Sequence, residues 1–166
     1  MNITLIGMPG AGKSTVGVLL AKSMLMDFVD TDLLIQRKHG MSLCEFIEKN
    51  GEEEFKKAEN DIISSLECEN TVIATGGSAV YGDEGMKHLE EISRIVYLKV
   101  PVESLNERLS NIKTRGVVMK KGESVEQLFK RRSPLYEKYA DITVDCSALR
   151  AEECVDDVIE KLKKQI

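Results

Sequence analysis

Short apolar runs alternate with amphipathic stretches along almost the whole chain. Asn2-Ile3-Thr4-Leu5-Ile6 is mostly apolar with β-branched residues, as a buried strand requires. From Thr15 to Met24, Val16, Leu19, Leu20 and Met24 fall at helical spacing. Asp27-Phe28-Val29 reads as a second strand that runs on into Asp30-Thr31-Asp32, followed by a helical pattern from Leu33 to a stop at Gly40. Ser42-Leu43-Cys44-Glu45 has the spacing of a capping box and opens a short helix that Gly51 breaks. A charged helix from about Glu52 to Glu67 keeps Phe55, Ala58, Ile62, Ile63 and Leu66 on its apolar side.

Thr71 to Thr75 is a third strand, bounded by Gly76-Gly77, and a loop through Gly85 leads to a helix around Met86 to Glu91. Ile95 to Leu98 is a fourth strand, and Pro101 stands in the first turn of a helix that reaches about Leu109. Ser110 to Glu123 is polar, basic and glycine-containing, a loop long enough to be functional. A helix from Ser124 runs through Arg132 and Tyr136, Asp141 to Asp145 is a fifth strand, and Val155, Val158, Ile159, Leu162 and Ile166 mark a last helix. Strands alternating with helical crossovers predict an α/β, three-layer αβα fold with a five-stranded parallel sheet. Ligands of such sheets gather at the carboxyl ends of the strands, which puts residues 7–14, Asp30, Asp32, Gly76 and Gly77 on one rim.

Composition narrows the class of partner. At 166 residues the chain is read as one domain with a core that needs no staple. A net charge of −5 argues against a dedicated nucleic-acid binder. The apolar runs are far shorter than the roughly 20 residues of a membrane span. The first residues read as a strand rather than a cleavable leader, and the expected setting is the cytoplasm. Cys44, Cys68, Cys146 and Cys154 lie scattered, away from both histidines, so zinc-site spacing is absent and reduced thiols are expected. Nothing demands an oligomer, and a monomer suffices.

The sharpest chemical signal is Gly7-Met8-Pro9-Gly10-Ala11-Gly12-Lys13-Ser14, which reads G-x-x-x-x-G-K-S between a strand and a helix. That context defines a P-loop. Its glycines let the backbone wrap a phosphate with N–H groups turned inward, and the helix N-terminus adds positive potential. Gly10, Ala11, Gly12, Lys13, Ser14 and Thr15 are thus assigned to a nucleoside triphosphate, with Lys13 on the β/γ-phosphates and the Ser14 hydroxyl on Mg2+.

Two carboxylates beside such a loop suit two tasks: one holds Mg2+, the other orients an attacking hydroxyl and accepts its proton. In a pure strand Asp30 and Asp32 face the same side; the other reading is that one of them caps the following helix. Lys56, Arg108, Arg115, Arg131 and Arg132 are candidate cations for the same rim, and Arg115, next to Gly116 in mid-loop, is placed to swing.

The ordered set of motifs resembles the shikimate kinases, over nearly the whole chain. It comprises Gly7-Met8-x-Gly10-x-Gly12-Lys13-Ser14-Thr15-x-Gly17, Asp30-x-Asp32, Gly51-Glu52-x-x-Phe55-x-x-x-Glu59, Gly76-Gly77, Arg115, and Arg132-x-Pro134-Leu135-Tyr136 ahead of Ala140-Asp141. The resemblance implies a P-loop fold of the nucleoside-monophosphate-kinase type, with a mobile lid at about 110–124 and an acceptor segment at about 31–62. It implies ATP- and Mg2+-dependent phosphorylation of the 3-hydroxyl of shikimate. By position, Lys13 and Arg115 are similar to the family's phosphate-stabilising cations, and Ser14 with Asp30 to its Mg2+ shell. Asp32 corresponds to the acceptor-binding base, Arg108 to the residue packing on adenine, and Arg132 to one of two arginines on the shikimate carboxylate. Gly76, Gly77 and Ser78 would line the acceptor pocket.

This chain departs from the family's pattern at three places. Lys56 stands where an arginine is usual, which keeps the charge but loses the bidentate fork. Ser78 replaces a glycine, and Gly116-Val117-Val118 follows Arg115 in place of Pro-Leu-Leu. Another small-acid kinase, such as a gluconate kinase, shares the P-loop and lid. A catalytically silent nucleotide-binding module is the reading from a different class, distinguished by loss of the lysine, carboxylates or lid arginine that this chain keeps.

Overall fold

The computed structural model describes residues 1–109, 116–147 and 150–164. Strand β1 (Asn2–Ile6) is buried along its whole length, as its apolar run demands of a strand covered on both faces. It lies at the centre of a five-stranded parallel sheet of order β2-β3-β1-β4-β5, with β2 (Asp27–Asp30), β3 (Thr71–Ala74), β4 (Ser93–Lys99) and β5 (Ile142–Asp145). Ile3 pairs with Val72 on one side and Arg94 on the other, which brings the carboxyl ends of β1, β2 and β3 to one rim. Edge strand β5 alternates buried Ile142 and Val144 with exposed Thr143 and Asp145, so only one of its faces is covered.

Helix α1 (Lys13–Met24) packs against α8 (Ala151–Lys164), and α4 (Glu52–Ser64) against α5 (Asp83–Ile92). The remaining helices are α2 (Thr31–His39), α3 (Leu43–Asn50), α6 (Val102–Arg108) and α7 (Val125–Tyr139). The main core gathers the strands with α1, α5, α7 and α8. A second apolar cluster stands apart: Ile35, Leu43, Phe46, Phe55, Ile62 and Val118. It joins α2, α3 and α4 to Val118.

Helix α1 starts two residues earlier than the apolar spacing alone predicts. Gly12 is its N-cap at φ 89°, a left-handed conformation open to glycine, so Lys13 and Ser14 already belong to the first turn. The expected strand through Asp32 is corrected as well. Strand β2 ends at Asp30, and Asp32 sits in the first turn of α2. The reason is local: Asp30 Oδ1 accepts the Asp32 N–H at 3.0 Å, and this cap turns the chain into a helix. The capping role therefore falls to Asp30, not Asp32. The capping box of α3 forms in both directions, Ser42 N–H to Glu45 Oε2 at 2.8 Å and Glu45 N–H to Ser42 Oγ at 3.2 Å.

Candidate active site

The rim holds a cleft of about 410 Å³, lined on one wall by the P-loop and on the other by α2, the Gly76-Gly77-Ser78 turn and Arg132. The first bond of the α1 ladder runs from Val16 N–H to Gly12 C=O at 2.8 Å. The N–H groups of Lys13, Ser14 and Thr15 precede that ladder and are left for a ligand. Lys13 is almost fully buried and donates to the loop's own carbonyls, Gly7 O at 2.7 Å and Met8 O at 2.8 Å. Burial lowers its pKa to about 8, with Asp32 opposing the shift.

Ser14 Oγ donates to Asp30 Oδ2 at 2.6 Å, so a hydroxyl and a carboxylate meet at the mouth of the loop. Two adjacent oxygen donors beside a phosphate site fit Mg2+, which takes few protein ligands and fills its shell with phosphate and water. Among the described residues no group of three or more His, Cys, Asp or Glu gathers for a metal. Asp32, half-buried, faces the same cleft from α2. Desolvation and then the charge of Asp30 raise its pKa to about 6, against the pull of Lys13.

Gly76 explains how the second wall closes. A Cβ there would collide with Glu59 Oε1 and lie 2.8 Å from Asp32 Oδ1, so only glycine lets both carboxylates approach. Glu59 is 1% exposed and projects from α4. Its pKa is pushed up to about 7 by burial, although the bond from Ser78 Oγ to Glu59 Oε2 at 2.5 Å acts the other way. The side chain that Ser78 adds is thus turned onto Glu59 and is itself buried. Gly77 is held by α7: Tyr136 Oη donates to its carbonyl at 2.6 Å, and Arg132 Nη1 lies 2.9 Å from where its Cβ would stand.

Arg132 is fully buried, lines the cleft, and donates through Nη2 to Val118 O at 2.6 Å. Its Nε has no hydrogen-bond partner, and among the described residues it forms no salt bridge. Lys56 is not among the cleft-lining residues; its ammonium pairs with Glu53 at 2.9 Å. Arg108 meets the middle of the P-loop, donating to Gly10 O at 3.2 Å. Arg131 pairs with Glu123 at 2.8 Å. Arg115 lies outside the described residues.

The cleft therefore brings together Gly10, Gly12, Lys13, Ser14, Thr15, Asp30, Asp32, Gly76, Gly77, Ser78 and Arg132, while Ala11 is buried beneath the loop. Glu59 stands in the Gly51-Glu52-x-x-Phe55-x-x-x-Glu59 motif without a role predicted from the sequence. The available signal was its place four residues after Phe55 and three before Ile62, on the apolar side of α4.

Phosphate-binding backbone on one wall and a desolvated carboxylate on the other suit one reaction class, transfer of a phosphoryl group to an alcohol. The protein is a P-loop phosphotransferase. Similarity to known proteins narrows the class. The shikimate kinase family model matches residues 9–163. A shikimate kinase of Francisella tularensis is 37% identical over 161 residues, covering 95% of this chain and 92% of that protein. One of Thermodesulfovibrio yellowstonii is 37% identical over 166 residues, 98% of this chain and 95% of that protein. The solved shikimate kinase from Acinetobacter baumannii in complex with shikimate matches with a TM-score of 0.90 at 31% identity, over 99% of this chain and 93% of that one. A sugar kinase from Janibacter, 13% identical with a TM-score of 0.62, shares the fold alone. The chain belongs to the shikimate kinase family.

Proposed function

We propose that the protein transfers the γ-phosphoryl group of ATP to the 3-hydroxyl of shikimate. The observation that carries this choice of acceptor is Arg132: a fully buried cation, on the cleft, without a salt bridge among the described residues. A buried cation without a direct ion pair is costly, and an anionic ligand relieves it. Asp32, on the same cleft, asks for a hydroxyl. A hydroxylated carboxylate satisfies both.

In this reading the P-loop N–H groups and Lys13 hold the β/γ-phosphates, and Arg108 packs against the adenine. Asp32 orients the acceptor hydroxyl and takes its proton as the oxygen attacks the γ-phosphorus, and ADP leaves. Ser14 and Asp30 would hold Mg2+, which neutralises phosphate charge when bound. Arg115, from a lid at about 110–124, supplies a further cation to the transferring oxygens. Gly76, Gly77 and Ser78 form the floor under the acceptor, Arg132 with Lys56 meets its carboxylate, and segment 31–62 carries the acceptor site. The same reading makes the chain one catalytic domain that acts as a monomer in the cytoplasm; no described helix is long and apolar enough to cross a membrane.

The test is coupled ADP release with MgATP, with and without shikimate, and with gluconate in parallel. Shikimate-dependent release is expected. Release with gluconate alone would keep the chemistry and move the acceptor, and ATP binding without release for any acceptor would point to a regulatory module.

A further inference from the structure

Tyr81 belongs to the 3-10 turn (Ala79–Tyr81) that follows the glycine turn, and the reaction above makes no use of it. Its ring collects cations from two helices. Lys56 Nζ of α4 is 5.2 Å from the ring centroid, while Arg131 Cζ and Arg132 Cζ of α7 are 5.5 and 5.4 Å away. The Tyr81 hydroxyl is buried without a hydrogen-bond partner among the described residues, so the ring's π-system does the binding, not its oxygen.

Three like charges around one ring repel each other. Two are neutralised in place, Lys56 by Glu53 and Arg131 by Glu123, and Arg132 is left facing the cleft. The Lys56–Glu53 pair is a weak one, because the Glu53 side chain is 88% exposed. A carboxylate arriving beside Arg132 can therefore draw Lys56 away from Glu53. What a lysine lacks is direction: its ammonium ends a flexible four-carbon stem and has no planar fork. An aromatic face beside it restores part of that order.

We propose that Tyr81 is a positioning residue for the acceptor's carboxylate, its ring seating Lys56 next to Arg132 so that lysine serves where a guanidinium would orient itself. The proposal rests on the reading of the acceptor as a hydroxylated carboxylate.

The experiment is the KM for shikimate and the KM for MgATP, measured by coupled ADP release in wild type, Tyr81→Phe, Tyr81→Leu and Tyr81→Leu/Lys56→Arg. Tyr81→Phe keeps the ring and loses only an unpaired hydroxyl, so its shikimate KM stays within about twofold of wild type. Tyr81→Leu raises the shikimate KM about threefold to thirtyfold, the range of a cation–π contact, and leaves the KM for MgATP unchanged. Adding Lys56→Arg recovers most of the loss, because the fork orients itself. Should Tyr81→Leu fail to fold, Tyr81→Met takes its place with the same expectation. An unchanged shikimate KM without the ring, an equal rise in both KM values, or no recovery by Lys56→Arg overturns the proposal. Absence of shikimate-dependent release by wild type would overturn the proposed function with it, so the two failures are told apart.

Discussion

At the scale of single residues, the site is a small group of charges held nearly free of water. Glu59 and Asp32 approach the same glycine, Gly76, with Lys13 and Arg132 close enough to shift the Glu59 equilibrium. Burial holds the Glu59 carboxyl at about 7, against an ordinary value of 4.5. A pKa raised on folding means that the native state binds the proton more tightly than the unfolded chain. The stability this group contributes is complete below about pH 4.5 and is lost as the pH rises through about 7. Glu59→Gln still accepts the Ser78 hydroxyl and never ionises. It should stabilise the ligand-free protein at pH 8 by on the order of 2–3 kcal/mol, and hardly at all at pH 4.5. Thermal melts at the two pH values check this, and equal shifts at both would show that the Glu59 charge is not penalised. The P-loop was readable residue by residue because each position answers a local demand of phosphate binding. Glu59 was not, because six other charged residues of α4 surround it and only its register against Phe55 and Ile62 tells it apart. Tyr81 left no signal, since a tyrosine in a short loop carries no periodicity.

At the scale of elements, the wall opposite the P-loop is built on caps. The Asp30 side chain ends β2 and starts α2, while its second oxygen meets Ser14. One residue thus ties the phosphate wall to the helix that carries Asp32. The apolar pattern could not show this, since an Asp-Thr-Asp stretch after a strand fits either a strand extension or a cap. The α3 box was legible, because Ser and Glu three apart before an apolar run have one common use. Helix α3 packs into the second cluster with Phe55 and Val118 and places none of its residues in the main core. Ser42→Ala should cost about 1 kcal/mol and act locally. Hydrogen exchange checks it: amides of α3 should lose protection while those of β1 keep theirs, and an equal loss in both would mean that the cluster unfolds only with the core.

At the scale of the whole molecule, parallel strands make the site. The P-loop follows β1, Asp30 ends β2, and the Gly76 turn follows β3, so one rim receives all three without any long loop to position them. Alternation of strands and helices made the parallel sheet and its five strands legible. It could not give the order β2-β3-β1-β4-β5, because β-branched runs specify burial on two faces and not which neighbour supplies it. The likeness to shikimate kinases over the whole chain agrees with this architecture. In the proposed reaction the two walls divide the labour, phosphate on the P-loop and acceptor on Asp32. Asp32→Asn tests it most directly, by shikimate-dependent turnover and MgATP affinity measured on the same preparation. Turnover should fall by at least about a hundredfold, with MgATP affinity within about twofold of wild type. A fall in MgATP affinity as steep as the fall in turnover would contradict that division, and would move Asp32 to the phosphate side of the cleft.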